Sequence, residues 1–297
     1  MTTITRSVET QAGAASAARS RQRLLQLAKS TLTHLLLFAG SFVFFVPLIF
    51  MVSTSLKAMR QIAKFPPEWI PDPVIWLNYP DVFRYAPMHL YLVNTLIIVI
   101  PNILGAVLTS ALAAYAFARL RAPGKNALFM VLLSTMMLPA VVTLIPTYLL
   151  FAQLGWVGTF RPLVIPPLAG SAFFIFLLRQ FFMTIPRELE DAALIDGGSR
   201  LRIFTSIILP LAKPALATVT IFAFMGSWND YLGPLIYLGN RDQYTLSLGL
   251  QVFVQYHRAE WGLLMAASTM MVTPVILLFF FAQQHFVQGI TLTGIKG

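Results

Sequence analysis

Six apolar runs constrain this chain more than any other feature in it: Leu35–Val52, Tyr91–Ala118, Ala127–Phe151, Pro162–Phe182, Ala215–Leu238 and Gly262–Gln284. Each has close to the roughly 20 residues that a helix needs to cross a hydrocarbon core of about 30 Å. Inside such a core only helices and closed barrels satisfy their own backbone polar groups, and uninterrupted runs of this length are helical. The expectation is an all-α membrane protein with six transmembrane helices over 35–285, flanked by tails at 1–34 and 286–297. With 57% hydrophobic and 11% charged residues and a mean hydropathy of +0.74, little chain is left for a domain outside the bilayer. The basic N-terminal stretch leads into its apolar run with no small-residue cleavage site after it, so this run reads as an uncleaved first span.

A net charge of +10 raises the question of a nucleic-acid partner, and its distribution answers it. Six spans put both termini on one side. Fourteen of the 21 Lys and Arg residues fall on that side, in the N-terminal tail, around Arg119–Lys125, between Arg179 and Lys213, and at Lys296. The positive-inside rule then places both termini in the cytoplasm, and the excess charge needs no nucleic acid. The absence of cysteine excludes disulfides and thiolate metal sites. His34, His89, His257 and His285 lack metal-ligand spacing, so neither a metal nor another cofactor is expected.

Between the first two spans runs LKAMRQIAKFPPEWIPDPVIWLNYPDVFRYAPMHL. Its six prolines forbid a long helix, and its Trp and Tyr rings suit the headgroup region. It reads as a structured cap along the outer surface. Prolines also fall within or at the margins of the spans, at 47, 101, 139, 146, 166, 167, 234 and 274, where each removes a backbone donor and bends its helix.

The most informative segment is polar. In TIPRELEDAALIDGGSRLRIFTSIILPL, within a loop of about 184–212, Pro186 suits a first helical position, and Glu188, Glu190 and Asp191 follow where the helix dipole favours negative charge. Leu189, Ala192 and Ala193 share one face, its alanines small enough for another protein to approach closely. Gly197 and Gly198 end this helix and Ser199 caps a second, which carries Ile203, Phe204, Ile207 and Ile208 in one stripe before Pro210. The expected product is a helix, a glycine bend and a helix projecting from the membrane.

This loop resembles the conserved motif of permease subunits of bacterial ATP-binding-cassette importers: Glu-Ala-Ala, three residues, Gly, nine residues, Ile, one residue, Leu-Pro. Asp191, Ala192, Ala193, Gly197, Ile207, Leu209 and Pro210 keep that register, with Asp191 in place of Glu and Glu190 beside it to compensate. The outer Pro66, Pro67, Pro71, Asn78 and Tyr79, the WNDYLGPLIYL of the fifth span and the ending FVQGITLTGIKG are similar to the carbohydrate branch, in particular its maltose-type second permeases. The resemblance runs from about residue 35 to the C-terminus. It implies a type I importer-like permease of the bacterial inner membrane, pairing with a second permease as a heterodimer, docking two ATPase subunits, and receiving sugar from an extracytoplasmic binding protein. ATPase coupling would fall to Glu188, Glu190, Asp191, Ala192, Ala193, Asp196, Gly197, Ile207, Leu209 and Pro210. The chain has no phosphate-binding loop of its own, so nucleotide hydrolysis belongs to partners.

An ionisable residue within a span is costly and commonly functional. Asp230 follows Lys213 by a helical rise of about 25 Å, towards the outer side. Trp228, Asn229, Asp230 and Tyr231 combine a ring face with hydrogen-bonding groups, as sugar recognition requires, and serve equally as an interfacial anchor. Asn94, Asn102, Thr109 and Ser110 are further path candidates, or helix-to-helix hydrogen bonds. An alternative function, a secondary transporter driven by an ion gradient, calls for buried acids or bases near the midplane and inverted repeats. An enzyme calls for a nucleophile or metal motif, and the chain has neither His-Glu-x-x-His nor Gly-x-Ser-x-Gly. No catalytic residue is assigned.

Overall fold

The computed structural model describes the backbone of residues 2–255 and 258–293 and the side chains of 26–254 and 259–281. A first long helix, α1 (Thr2–Ser55), is followed by a cap with the short α2 (Met59–Ile62) and α3 (Asn78–Tyr85). Then come α4 (Met88–Arg119), α5 (Lys125–Thr135), α6 (Ala140–Gln153), α7 (Arg161–Val164) and α8 (Ala172–Thr184). The polar loop contributes α9 (Glu188–Ile195), α10 (Arg200–Ile203) and α11 (Leu209–Leu211). The remainder holds α12 (Lys213–Trp228), α13 (Leu232–Tyr237), α14 (Leu246–Gly249), a two-residue hairpin of β1 (Val254–Gln255) and β2 (Arg258–Ala259), and α15 (Trp261–Thr293). The ending FVQGITLTGIKG lies outside the described side chains.

Among the described residues, four stretches are long and apolar enough to cross a membrane, at 26–55, 88–119, 161–184 and 261–281, and the number rises to six if each of two bent helix pairs counts as one span. The bends fall near several of the prolines expected to cause them and are sharper than kinks. Over 127–151, α5 and α6 meet at 94°, because Pro139 stands extended at the start of α6 and has no N–H to continue α5. Pro146 stays inside α6. The fourth run also breaks: after α7, Pro166 and Pro167 open a 3₁₀ turn, and Gly170 (φ +87°) redirects the chain into α8. The fifth stops at Trp228 and resumes only at Leu232, and α12 meets the preceding loop helices at 80°.

Two buried clusters mark the ends of the bundle. At the loop end, Tyr115 of α4, Leu178 and Phe182 of α8, and Val219 of α12 close over Ile203, Phe204 and Ile208. At the cap end, Val82 of α3, Tyr91 of α4, Trp228 of α12, Phe253, and Ala266 and Ala267 of α15 pack together.

The cap is ordered by side chains that hold its backbone. Asn78 donates from Nδ2 to the carbonyls of Ser55 (2.8 Å) and Lys57 (3.2 Å), and the Tyr79 hydroxyl meets Ser55 Oγ at 2.9 Å. Gln61 donates to Glu68 Oε2 and to the Ile70 carbonyl. Hydrogen bonds from Lys64 and Gln61 hold the Glu68 carboxyl below the usual range. Lys57, beside the Phe50 ring, donates to the Glu68 carbonyl. Burial lowers its pKa, while the Glu68 charge opposes that shift. The segment between α13 and β1 folds back into the cap end, where Leu246, Leu248 and Phe253 are buried.

Candidate functional site

The loop forms a knuckle, and its local geometry follows from its residues. Helix α9 starts at Glu188, two residues after Pro186, so the proline precedes the first turn rather than occupying it. The helix ends in a Schellman arrangement: Gly197 N–H donates to the Leu194 carbonyl (3.0 Å), Gly198 N–H to that of Ala193 (2.8 Å), and Gly197 adopts φ +79°. Ser199 Oγ then accepts from Arg202 N–H at 3.3 Å and caps α10. Between α10 and α11 the chain makes a π turn over 204–208, just before Pro210, which has no N–H for the ladder.

The two halves of the motif face opposite ways. Glu188, Leu189, Asp191, Ala192, Ile195, Asp196 and Gly197 are exposed, with Ile195 at 86%. Ile207 and Leu209 are half-buried against the loop-end core, and Pro210 is exposed. Ala193, expected beside Leu189 and Ala192, instead turns its methyl partly into that core. Burying Ile203, Phe204 and Ile208 contributes about 1.5–3 kcal/mol each, which fastens the knuckle to the bundle.

Glu190 points inward, so it cannot compensate for the shorter Asp191 on the outer face. Only 5% of its side chain is exposed. Oε1 lies 3.0 Å from Arg119 Nε, whose side chain is 3% exposed, and Oε2 lies 3.8 Å from Arg200 Nη1. The Arg119–Glu190 contact is coulombic, without hydrogen-bond alignment. Arg119 donates from Nη2 to the carbonyls of Phe182 and Ile185, so this one guanidinium joins the end of α4, the end of α8 and the knuckle. The sequence reading missed Arg119, and its only signal was a cation closing an apolar run.

The fifth-span residues do not form a common surface. Trp228 is buried at 3%, donates from Nε1 to the Met271 carbonyl (3.1 Å) and stacks on Phe224, so its ring is core and offers no face to a solute. Asn94 is also buried, its Nδ2 donating to the carbonyls of Asp242 and Tyr244, and it anchors the folded-back segment instead of lining a path. Asn229 is exposed and donates to the Met225 carbonyl. Asp230 Oδ1 accepts from Gly233 N–H at 3.0 Å, and Tyr231 OH meets Gln251 Oε1 at 3.2 Å. The helix break is thus held by side-chain turns.

Nearby, Asn102 Nδ2 donates to the Leu163 carbonyl and to Ser227 Oγ, both at 3.0 Å, while its buried Oδ1 has no partner. It borders a cavity of about 200 Å³ with Ser171, Phe174, Phe222 and Ser227. Among the described residues no cluster of His, Asp and Glu could hold a metal ion.

Residues 106–292, more than half of the chain and including the whole knuckle, match the family of binding-protein-dependent transport system inner membrane components. The chain belongs to this family. Its members are the non-catalytic transmembrane permeases of ABC importers, which displaces the ion-gradient alternative and places this permease, as a multi-pass protein, in the inner membrane. The permease is 35% identical over 221 residues to the osmoprotective compounds uptake permease protein GgtD of Synechocystis sp., covering 74% of each chain. It is 33% identical over 266 residues to the sn-glycerol-3-phosphate transport system permease protein UgpE of Yersinia enterocolitica, covering 86% of this chain and 94% of the relative. In fold, it resembles a chain of a bacterial ABC transporter involved in the import of the acidic polysaccharide alginate. The TM-score is 0.77 at 23% identity, over 86% of this chain and 96% of that one.

Proposed function

We propose that this permease forms half of the translocation path of an ATP-driven importer of sugars and related polyhydroxylated solutes. In this reading it crosses the membrane six times with both termini in the cytoplasm, the two bent helix pairs each counting as one span. It pairs with a second permease, docks one of two ATPase subunits on α9, and receives solute from an extracytoplasmic binding protein. The observation that carries the reading is the knuckle: its outer face presents Leu189, Asp191 and Ala192 to a partner, while Glu190 and Arg119 fix it to α4 and α8. A short helix tied rigidly to two spans can pass on a partner's rigid-body movement.

The solute class draws support from the relatives, whose names specify osmoprotective compounds and sn-glycerol-3-phosphate. The cavity at Asn102, Ser171 and Ser227 supplies hydroxyl and amide groups beside Phe174 and Phe222, a pairing that suits a sugar's hydroxyls and CH face. At about 200 Å³ it falls below the roughly 300 Å³ of a small-molecule site, as half of a path completed by a second permease would.

Because the chain has no cysteine, Ala192→Cys gives an unambiguous probe. In proteoliposomes containing the partner permease, ATPase and binding protein, the introduced thiol should cross-link to the ATPase, and solute uptake should require ATP. Uptake by this chain without the ATPase, driven by a proton or sodium gradient, would overturn the reading. Asp230→Ala should cost about 1 kcal/mol through loss of its turn hydrogen bond. It should lower uptake severalfold while leaving the ATPase cross-link intact; uptake equal to the parent's would remove Asp230 from the path.

A further inference from the structure

Beside the knuckle opens a cleft of about 550 Å³ bounded by Arg119, Arg121, Arg187, Glu190, Asp191 and Arg200. Its charges do not balance. Glu190 is engaged by Arg119, with Arg200 at the edge of ion-pair distance. Among the described residues, Arg121 and Arg187 have no ion-pair partner, and both are exposed. Asp191 belongs both to the cleft wall and to the outer face of α9.

Through Asp191, an ATPase seated on Leu189, Asp191 and Ala192 would border the cleft and could close over it. Closure takes the guanidinium groups of Arg121 and Arg187 out of water, which is strongly unfavourable unless a counter-charge arrives with the partner. Planar guanidinium forks match a carboxylate and can hold it by two parallel hydrogen bonds. We propose that this cleft receives an aspartate or glutamate side chain of the ATPase, held by Arg121 and Arg187 with Arg200 at the rim. The proposal rests on the docking reading above. The rival occupant is the phosphate of an anionic lipid, and the cleft's continuity with the docking face favours the protein carboxylate.

The test uses the complete permease pair in nanodiscs and the purified cognate ATPase, comparing the parent with Arg121→Glu/Arg187→Glu and with Leu189→Asp. The double charge reversal is expected to weaken ATPase binding at least about tenfold and to flatten the salt dependence of the parent's affinity. As an independent readout, Arg187→Lys places an amine in the cleft, and a zero-length carbodiimide should couple that amine to an acidic residue of the ATPase, located by mass spectrometry. If the charge reversal binds like the parent while Leu189→Asp does not bind, the cleft proposal is overturned and the docking reading survives. If both variants bind like the parent, both fall. If the charge reversal binds the ATPase normally but loses a stabilisation that the parent gains from phosphatidylglycerol, the occupant is a lipid and the proposal is wrong.

Discussion

Glu190→Ala is expected to destabilise the folded permease by about 3–5 kcal/mol, because it leaves the Arg119 guanidinium buried without its counter-charge. The Phe182 and Ile185 carbonyls still accept from Arg119, but they offer only partial negative charge. The loss should appear as earlier thermal unfolding of the purified complex and as new protease cleavage between residues 187 and 213, since the pair is the polar tie between α9 and the ends of α4 and α8. Arg119→Met/Glu190→Met removes both charges at once and should recover part of the stability, less the cost of the hydrogen bonds that the Phe182 and Ile185 carbonyls lose. A single alanine variant that unfolds with the parent and resists protease would show that hydrophobic contacts at Ile203, Phe204 and Ile208 hold the knuckle unaided.

Gly197→Val should leave the chain inserted and weaken coupling at least about tenfold. At φ +79° a β-branched residue costs about 1–3 kcal/mol in backbone strain, and about 1.4 kcal/mol already shifts an equilibrium tenfold. An added Cβ meets nothing within 4 Å, so the penalty is conformational and is relieved only by opening the bend between α9 and α10. Solute-stimulated ATP hydrolysis in proteoliposomes should fall at least about tenfold, with membrane levels unchanged. Gly197→Asn should retain more activity, since asparagine tolerates the left-handed region. Wild-type coupling in the valine variant would mean that the bend has no part in transmission.

These two expectations show where local signals reach and where they stop. The knuckle was legible because its cues are short-range: acids in a first turn, a glycine pair at the stop, a serine cap, and an apolar stripe at helical spacing. Glu190 and Asp191 are adjacent acids about 100° apart around one helix, and nothing near them says which faces inward. Arg119, brought under α9 by the packing of α4 against α8, makes that choice. Trp228 and Asn94 carried the right chemistry for a solute, yet the Met271, Asp242 and Tyr244 carbonyls took up their donors.

Membrane character, six apolar segments and the family-specific loop were already written in composition, run length and spacing, because burying a helix in lipid requires those properties whatever surrounds it. Which spans are broken, which carboxylate anchors and which is presented outward, and where a cavity remains at Asn102 were settled by the packed bundle. Those outcomes depend on partners distant in the chain, whose approach only the assembled helices define.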